Sequence, residues 1–351
     1  MGHETLFGFA EYWWLYASFL ALVLVLLGLD LGVFNRTPHD ISIASATRWT
    51  IFWVSLAVVF NLLLWWWVHH ELLKPERQEA LLASGYGTPV EAARRLALEF
   101  LSGYIVEMSL SVDNLFVFII LFNYFAVPSK LRHRVLFYGI LGALISRGIF
   151  IAVGSILFQF YWVVIVFGAF LALTGLKLLF TDTEGGTDPG RNPVIRLLNR
   201  YLPVTDGYRG NHFVVVEHGK RFVTPLFITL VAVEITDIVF AVDSIPAIYG
   251  ITREPLIVFT SNVFAILGLR SMFFVLAGAM DRFYLLKYGL GIVLLFVGLK
   301  MTVLYHLFED KHFPTTWSLA IIAGTIGTTL VLSLMYPKHV DPPTPDERPA
   351  D

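Results

Sequence analysis

The sequence predicts an all-α polytopic membrane protein of about nine transmembrane helices, with an inverted repeat of three helices inside it. Three observations predict this. Apolar runs of about 20 residues, the length a helix needs to cross a bilayer, recur along the chain. Of 351 residues, 56% are hydrophobic and only 15% charged, and the mean hydropathy is +0.70. The few charges inside the apolar runs recur twice in the same order. A soluble domain usually carries about 25% charged residues and could not bury this much apolar surface. Disorder needs the opposite composition. The formal net charge of −2 gives no basic field for nucleic acid.

The helices are expected at approximately 13–33, 47–69, 97–125, 135–157, 161–180, 223–249, 257–279, 284–306 and 316–336. The first is not read as a cleaved signal peptide. No basic segment precedes it, and it exceeds an h-region of about 7–15 residues. Before the third helix, Thr88-Pro89-Val90-Glu91 has the pattern of a capping box opening an amphipathic lead-in. The loop 181–221 clusters Gly, Pro, Asp and Arg. It reads as a solvated cytoplasmic linker or as a small subdomain, hinted at by a strand-like run from His212 to Glu217. The tail 337–351 is rich in Pro and Asp and reads as disordered. The whole of 1–351 is one membrane domain.

Orientation follows from Lys and Arg. Fifteen fall at connections and helix ends on one side, including Arg36, Lys130, Arg191 and Lys338, and six on the other, including Lys74, Arg94 and Lys311. This bias sets the N-terminus outside and the C-terminus in the cytoplasm.

Helices three to five (97–180) match helices six to eight (223–306). Glu107-Met108-Ser109-Leu110-Ser111-Val112-Asp113-Asn114 aligns with Asp237-Ile238-Val239-Phe240-Ala241-Val242-Asp243-Ser244 at an offset of 130. Arg147 aligns with Arg270, and Gly175-Leu176-Lys177 with Gly298-Leu299-Lys300, at an offset of 123. Because three is odd, the second unit enters the membrane from the opposite side. That is the inverted-topology repeat common in secondary transporters, whose site lies near the midplane.

Charges within a bilayer are costly and mark functional paths by default. Here they are Glu107, Asp113, Glu234, Asp237 and Asp243, with Arg147 and Arg270 in mid-helix. Lys177 and Lys300 lie nearer helix ends, where snorkelling is the simpler reading. Asp30 closes the first helix and is equally readable as interfacial. Structural ion pairs are the alternative for the rest, and suit Arg147 and Arg270 best. Asp113 stands about 9 Å along the helix from Glu107 and about 240° around it, so the two cannot chelate one ion. Asp113 could instead meet Asp243, with Glu107 and Asp237 displaced toward opposite faces as a ladder of carboxylates. Glu234 could join if its helix is distorted, for which Pro246 permits a break. Asn114, Asn262 and Asn61 offer neutral oxygens, or simply interhelical hydrogen bonds.

The chain has no cysteine, and its ten His lie almost entirely in connections and tails, with His306 nearest a span. A core site is therefore an oxygen site, suited to Mg²⁺, Ca²⁺ or Mn²⁺ rather than Cu⁺ or Zn²⁺. Met108 either packs or supplies a thioether that favours Mn²⁺. Buried carboxylates also exchange protons near neutral pH, so cation–proton antiport is the natural mechanism. No permanent cofactor is expected. Neither a hydrolytic site nor a phosphate-binding loop is present, so an enzyme or ATP-driven pump is not expected.

The run from Glu107 to Asn114 with Leu115-Phe116-Val117-Phe118, the run from Val233 to Ala247, and Leu29-Asp30-Leu31-Gly32-Val33-Phe34 resemble the motifs of the TerC family of integral membrane proteins. The resemblance runs from about residue 10 to 336 and is to the Alx type. It implies export of Mn²⁺ by a bacterial inner-membrane protein, with Glu107, Asp113, Glu234, Asp237 and Asp243 on the substrate path. Manganese comes from the resemblance, not from the repeat or the composition. Two other functions stay open. One is a membrane assembly or metal-delivery factor, and the other an exporter of an organic cation or amino acid.

Overall fold

The computed structural model describes residues 5–29, 43–180, 202–217, 219–277, 285–304 and 314–336, except the side chains of Leu29, Asp113, Phe116, Asp243 and Leu304. Asp30, His306, the first part of the 181–221 loop and the 337–351 tail lie outside these residues. The helices are α1 (Phe9–Leu29), α2 (Ile43–Leu72), the short α3 (Gln78–Ser84), α4 (Pro89–Tyr124), α5 (Ser129–Leu157), α6 (Tyr161–Phe180), α7 (Pro225–Tyr249), α8 (Pro255–Ala277), α9 (Leu286–Leu299) and α10 (Thr315–Met335). Among the described residues, nine helices are long and apolar enough to cross a membrane, all but α3.

The capping box forms as its residues predict. Thr88 Oγ1 accepts from the Glu91 amide at 3.3 Å, and the Glu91 carboxylate accepts from the Thr88 amide at 2.8 Å. Pro89 follows at the first helical position, where its missing N–H costs nothing. With no breaker between this cap and the apolar run, the lead-in and the third span are one helix of 36 residues. The apolar run by itself marks a span only from about 97.

The sixth span ends at 249 as expected, and the eighth differs. The sixth span does not break at Pro246, since α7 continues to Tyr249 and the Gly250 amide bonds the Pro246 carbonyl at 2.9 Å. Proline removes the bond its own nitrogen would have donated and crowds the carbonyl four residues before it, and here both fall near the helix end. The eighth span ends earlier as an α-helix, and Lys300–Leu304 continue it as a π-helical turn.

The helix α8 is the centre of the bundle. Its apolar residues lie on every face, and nearly all are buried. Around it α4 packs on α8, α5 on α7, and α6 on α9, with α2 and α10 against α4. The contact of α6 with α9 is close because glycines line it. A Cβ on Gly175 would stand 2.5 Å from the Gly291 carbonyl oxygen, and one on Gly298 would stand 2.5 Å from that of Gly168. Small residues let membrane helices approach in this way. The outer helices expose large apolar side chains such as Trp13, Trp66, Trp162 and Trp317, as a lipid-facing surface requires.

Where the strand-like run was read, β1 (Val214–Glu217) pairs antiparallel with β2 (Lys220–Val223). This hairpin leads into α7. It is tied to the α4–α5 corner by the Tyr208 hydroxyl, which donates to the Phe125 carbonyl at 2.8 Å, and by Phe213 against Tyr138.

Candidate functional site

Four helices each send one polar side chain to a common point. Arg147 comes from α5, Glu107 from α4, Asp237 from α7 and Asn262 from α8. All are buried, Arg147 to 1% exposure and Glu107 to 0%. One Nη of Arg147 is ion-paired with Glu107 Oε1 and donates to Asn262 Oδ1 at 3.0 Å. The other Nη pairs with Asp237 Oδ1 at 3.2 Å. Asn262 Nδ2 donates to Glu107 Oε2 at 3.2 Å, and Ser111 Oγ reaches Oε1 at 3.5 Å. Asn262 thus bridges acid and base, accepting from one and donating to the other.

The network is not complete. Asp237 Oδ2 and Arg147 Nε are buried without a hydrogen-bond partner among the described residues. Asp237 lines a cavity of about 20 Å³ together with Arg270, Leu115, Phe118 and Leu136. That is room for one water-sized occupant.

Glu234 sits three residues before Asp237, on the same side of α7. Its carboxylate lies directly against Gly142 of α5, where any Cβ would overlap it. The glycine makes the space the carboxylate fills.

The structure brings Glu107 and Asp237 together, rather than setting them toward opposite faces as the ladder required. Helical spacing gives the face a residue lies on but not its neighbour, and α5 inserts Arg147 between the two acids. Asn114 is buried seven residues beyond Glu107, on the same side of α4. Met108 is partly buried against the apolar core, as packing predicts. The backbones of Asp113 and Asp243 lie on α4 and α7. Lys177 is exposed in the last turn of α6, while Lys300 is half-buried within electrostatic range of Glu99. Asn61 on α2 has a buried Oδ1 without a hydrogen-bond partner. Among the described residues, no three carboxylate or imidazole groups converge to hold a metal.

These observations can be set beside known proteins. The model of the integral membrane protein TerC family matches residues 92–341. The chain belongs to the TerC family. It is 44% identical over 333 residues to the uncharacterized membrane protein STKORF319 of Myxococcus xanthus, covering 95% of each chain. It is 42% identical over 322 residues to a Salmonella typhi protein provisionally named membrane-bound redox modulator Alx, covering 91% of this chain and 93% of that one. The thylakoid membrane protein TERC of Arabidopsis thaliana is 42% identical over 254 residues, covering 72% of this chain and 65% of that one. No solved structure matches.

This TerC chain has a second buried acidic pair that sequence reasoning passed over. Glu99 of α4 accepts from Arg95 at 3.1 Å and from the Thr252 hydroxyl at 2.6 Å. Glu254, in the turn between α7 and α8, accepts from the amides of Leu6 at 2.7 Å and Phe7 at 3.2 Å. Arg77 binds the Leu6 carbonyl and pairs with Glu11 at 2.6 Å, so the N-terminal segment is held from both sides. Burial pushes the Glu254 carboxyl up to about 7, the two amides pull it down, and neighbouring Glu99 adds to the rise. Both acids lie at span ends, where charge is ordinarily solvated. The clue available was Glu254 immediately before the apolar run that opens α8.

Proposed function

We propose that this TerC-family protein is a secondary transporter that exports a divalent ion, Mn²⁺ foremost, across the bacterial inner membrane in exchange for protons. Glu107 and Asp237 form the buried pair on its path, and Asp113, Glu234 and Asp243 extend the path along α4 and α7. Arg270, Asn262 and Asn114 line or brace it.

One observation carries the reading. Asp237 keeps an oxygen without a partner among the described residues and lines a water-sized cavity at the meeting point of four helices. A carboxylate buried in this way is retained at a cost, and an ion or proton path is the default reason. The cavity's size favours a bare ion over an organic cation. The oxygen-only donors favour a hard divalent ion.

The inverted repeat supports the same reading. The helix contacts are those a two-fold axis would interchange, since α4 on α8 maps onto α7 on α5 and α6 on α9 maps onto itself. The glycines of the last pair, Gly168 and Gly175 against Gly291 and Gly298, fall at the repeat offset of 123. In our reading the N-terminus lies outside and the C-terminus in the cytoplasm.

The relatives' name as redox modulators does not transfer through thiol chemistry, because this chain has no cysteine. A second reading, a membrane assembly or metal-delivery factor, is favoured by the exposed Val214 and Val216 on the hairpin, an apolar strand face to which another chain could add.

The deciding experiment is Mn²⁺ flux in proteoliposomes at two pH values, with other divalent ions as competitors. Asp113→Asn and Asp243→Asn abolish flux at equal insertion. Equal flux in both variants and the wild type refutes the exporter. Co-purified client proteins without any flux would favour the second reading.

A further inference from the structure

Glu107 and Asp237 are the acids a divalent ion would need, and Arg147 already pairs with both. Resting on the exporter reading, we propose that Arg147 is a tethered counter-cation. It holds the carboxylate pair between transport events, competes with the metal for it, and moves to Glu234 when the metal enters.

The geometry of Arg147 supports competition rather than mere bracing. Both Nη groups are spent on the two carboxylates and on the Asn262 oxygen that a metal would also use. Among the described residues, each carboxylate and amide oxygen at this point is therefore bound by the guanidinium, by Asn262 or by Ser111, except Asp237 Oδ2. That oxygen gives the entering ion its first ligand, next to a cavity of about 20 Å³. Charge favours the exchange once it begins. A guanidinium brings one positive charge to two carboxylates, whereas a divalent ion balances both.

The displaced guanidinium needs a new partner, because a buried unpaired charge is prohibitive. Glu234 is suitably located. Its carboxylate rests against Gly142, five residues before Arg147 on α5, about 7.5 Å along the axis and about 140° around it, so the guanidinium reaches it by swinging across the α5–α7 contact. Helical side chains lean toward the N-terminus of their own helix, which is the direction of Gly142. Glu234 and Asp237 are also i,i+3 neighbours on α7, so the move is from one to the next along one face.

The test uses the purified full chain, with Mn²⁺ as the probe, in a binding titration and in proteoliposome flux. Arg147→Gln removes the competitor. It is expected to bind Mn²⁺ at least tenfold more tightly than wild type and to turn over more slowly, because nothing displaces the ion. Arg147→Lys keeps the charge without the fork and is expected to bind with intermediate affinity. If Arg147→Gln is unstable alone, the same expectation is read as rescue, with Mn²⁺ raising its melting temperature more than that of the wild type. Equal or weaker Mn²⁺ binding by Arg147→Gln, or equal stabilisation of both proteins by the ion, overturns the tethered cation and leaves the exporter standing. A wild type that neither binds nor moves any divalent ion overturns the exporter itself.

Discussion

Arg147 on α5 and Asp237 on α7, ninety residues apart in sequence, meet at 3.2 Å in the buried centre of the bundle. Asp237 is not the guanidinium's only partner, and this ranks the variants. Asp237→Asn leaves Arg147 paired with Glu107, so the loss is about 1–3 kcal/mol, the cost of a broken charged hydrogen bond. Arg147→Met strands two buried carboxylates and costs more, about 3–5 kcal/mol. Thermal unfolding in detergent without added divalent ions checks the order. A larger loss for Asp237→Asn would refute this account of the network.

Gly142 admits the Glu234 carboxylate, and its replacement separates function from folding. Any Cβ there overlaps the Glu234 carboxyl, which is the far end of a flexible side chain. Gly142→Ala is therefore expected to push the carboxylate aside with little loss of stability, while Mn²⁺ flux falls severalfold. Gly142→Leu should lower flux further. Flux of both variants at matched protein levels is the measurement, and unchanged flux in Gly142→Leu would remove Glu234 from the path.

Much of this arrangement was legible in the sequence, for reasons that differ between elements. The spans were legible because each needs an apolar run of fixed length, and the start of α4 because Thr88 and Glu91 have the spacing of a capping box. The residue types of the site were legible because charge in an apolar helix stands out. The partnership of Arg147 with both Glu107 and Asp237 was not, because it depends on how α5 packs between α4 and α7. Glu99 and Glu254 were missed for a related reason. They are buried by groups distant in sequence, as when Leu6 and Phe7 cover Glu254 across 248 and 247 positions. The π-helical turn at Lys300 left no local signature.

The contact of α6 with α9 yields an internally controlled prediction. A Cβ on Gly175 meets the Gly291 oxygen and the Leu295 nitrogen, and one on Gly298 meets the Ala172 nitrogen, all backbone atoms that cannot rotate away. Gly175→Ala and Gly298→Ala are each expected to cost about 1–3 kcal/mol, as overpacking does. Gly148 on α5 has nothing within 4 Å of its Cβ position, so Gly148→Ala should be near neutral. Melting temperatures of the three variants check this, and equal losses at all three would refute close approach as the cause, because helix propensity alone favours Ala over Gly.

Glu254 predicts how the N-terminal segment responds to pH. Burial raises its carboxyl from 4.5 to about 7, with Glu99 adding to the rise and the Leu6 and Phe7 amides and Arg77 opposing it. A carboxyl raised on folding binds more protons folded than unfolded between those two values, so stability must fall as pH rises through that window. The loss is complete above about 7 and absent below about 4.5, and its size is on the order of 3 kcal/mol. The N-terminal segment should feel it most directly, because Glu254 holds its two amides. Amide exchange at residues 5–8, corrected for the intrinsic rate, is expected to be more protected at pH 5.5 than at pH 8. Glu254→Gln keeps the shape and removes the titration, so protection and melting temperature should become flat across that range. A pH slope that persists in Glu254→Gln would assign it to another group, and a slope of opposite sign in the wild type would mean that the amides and Arg77 outweigh burial.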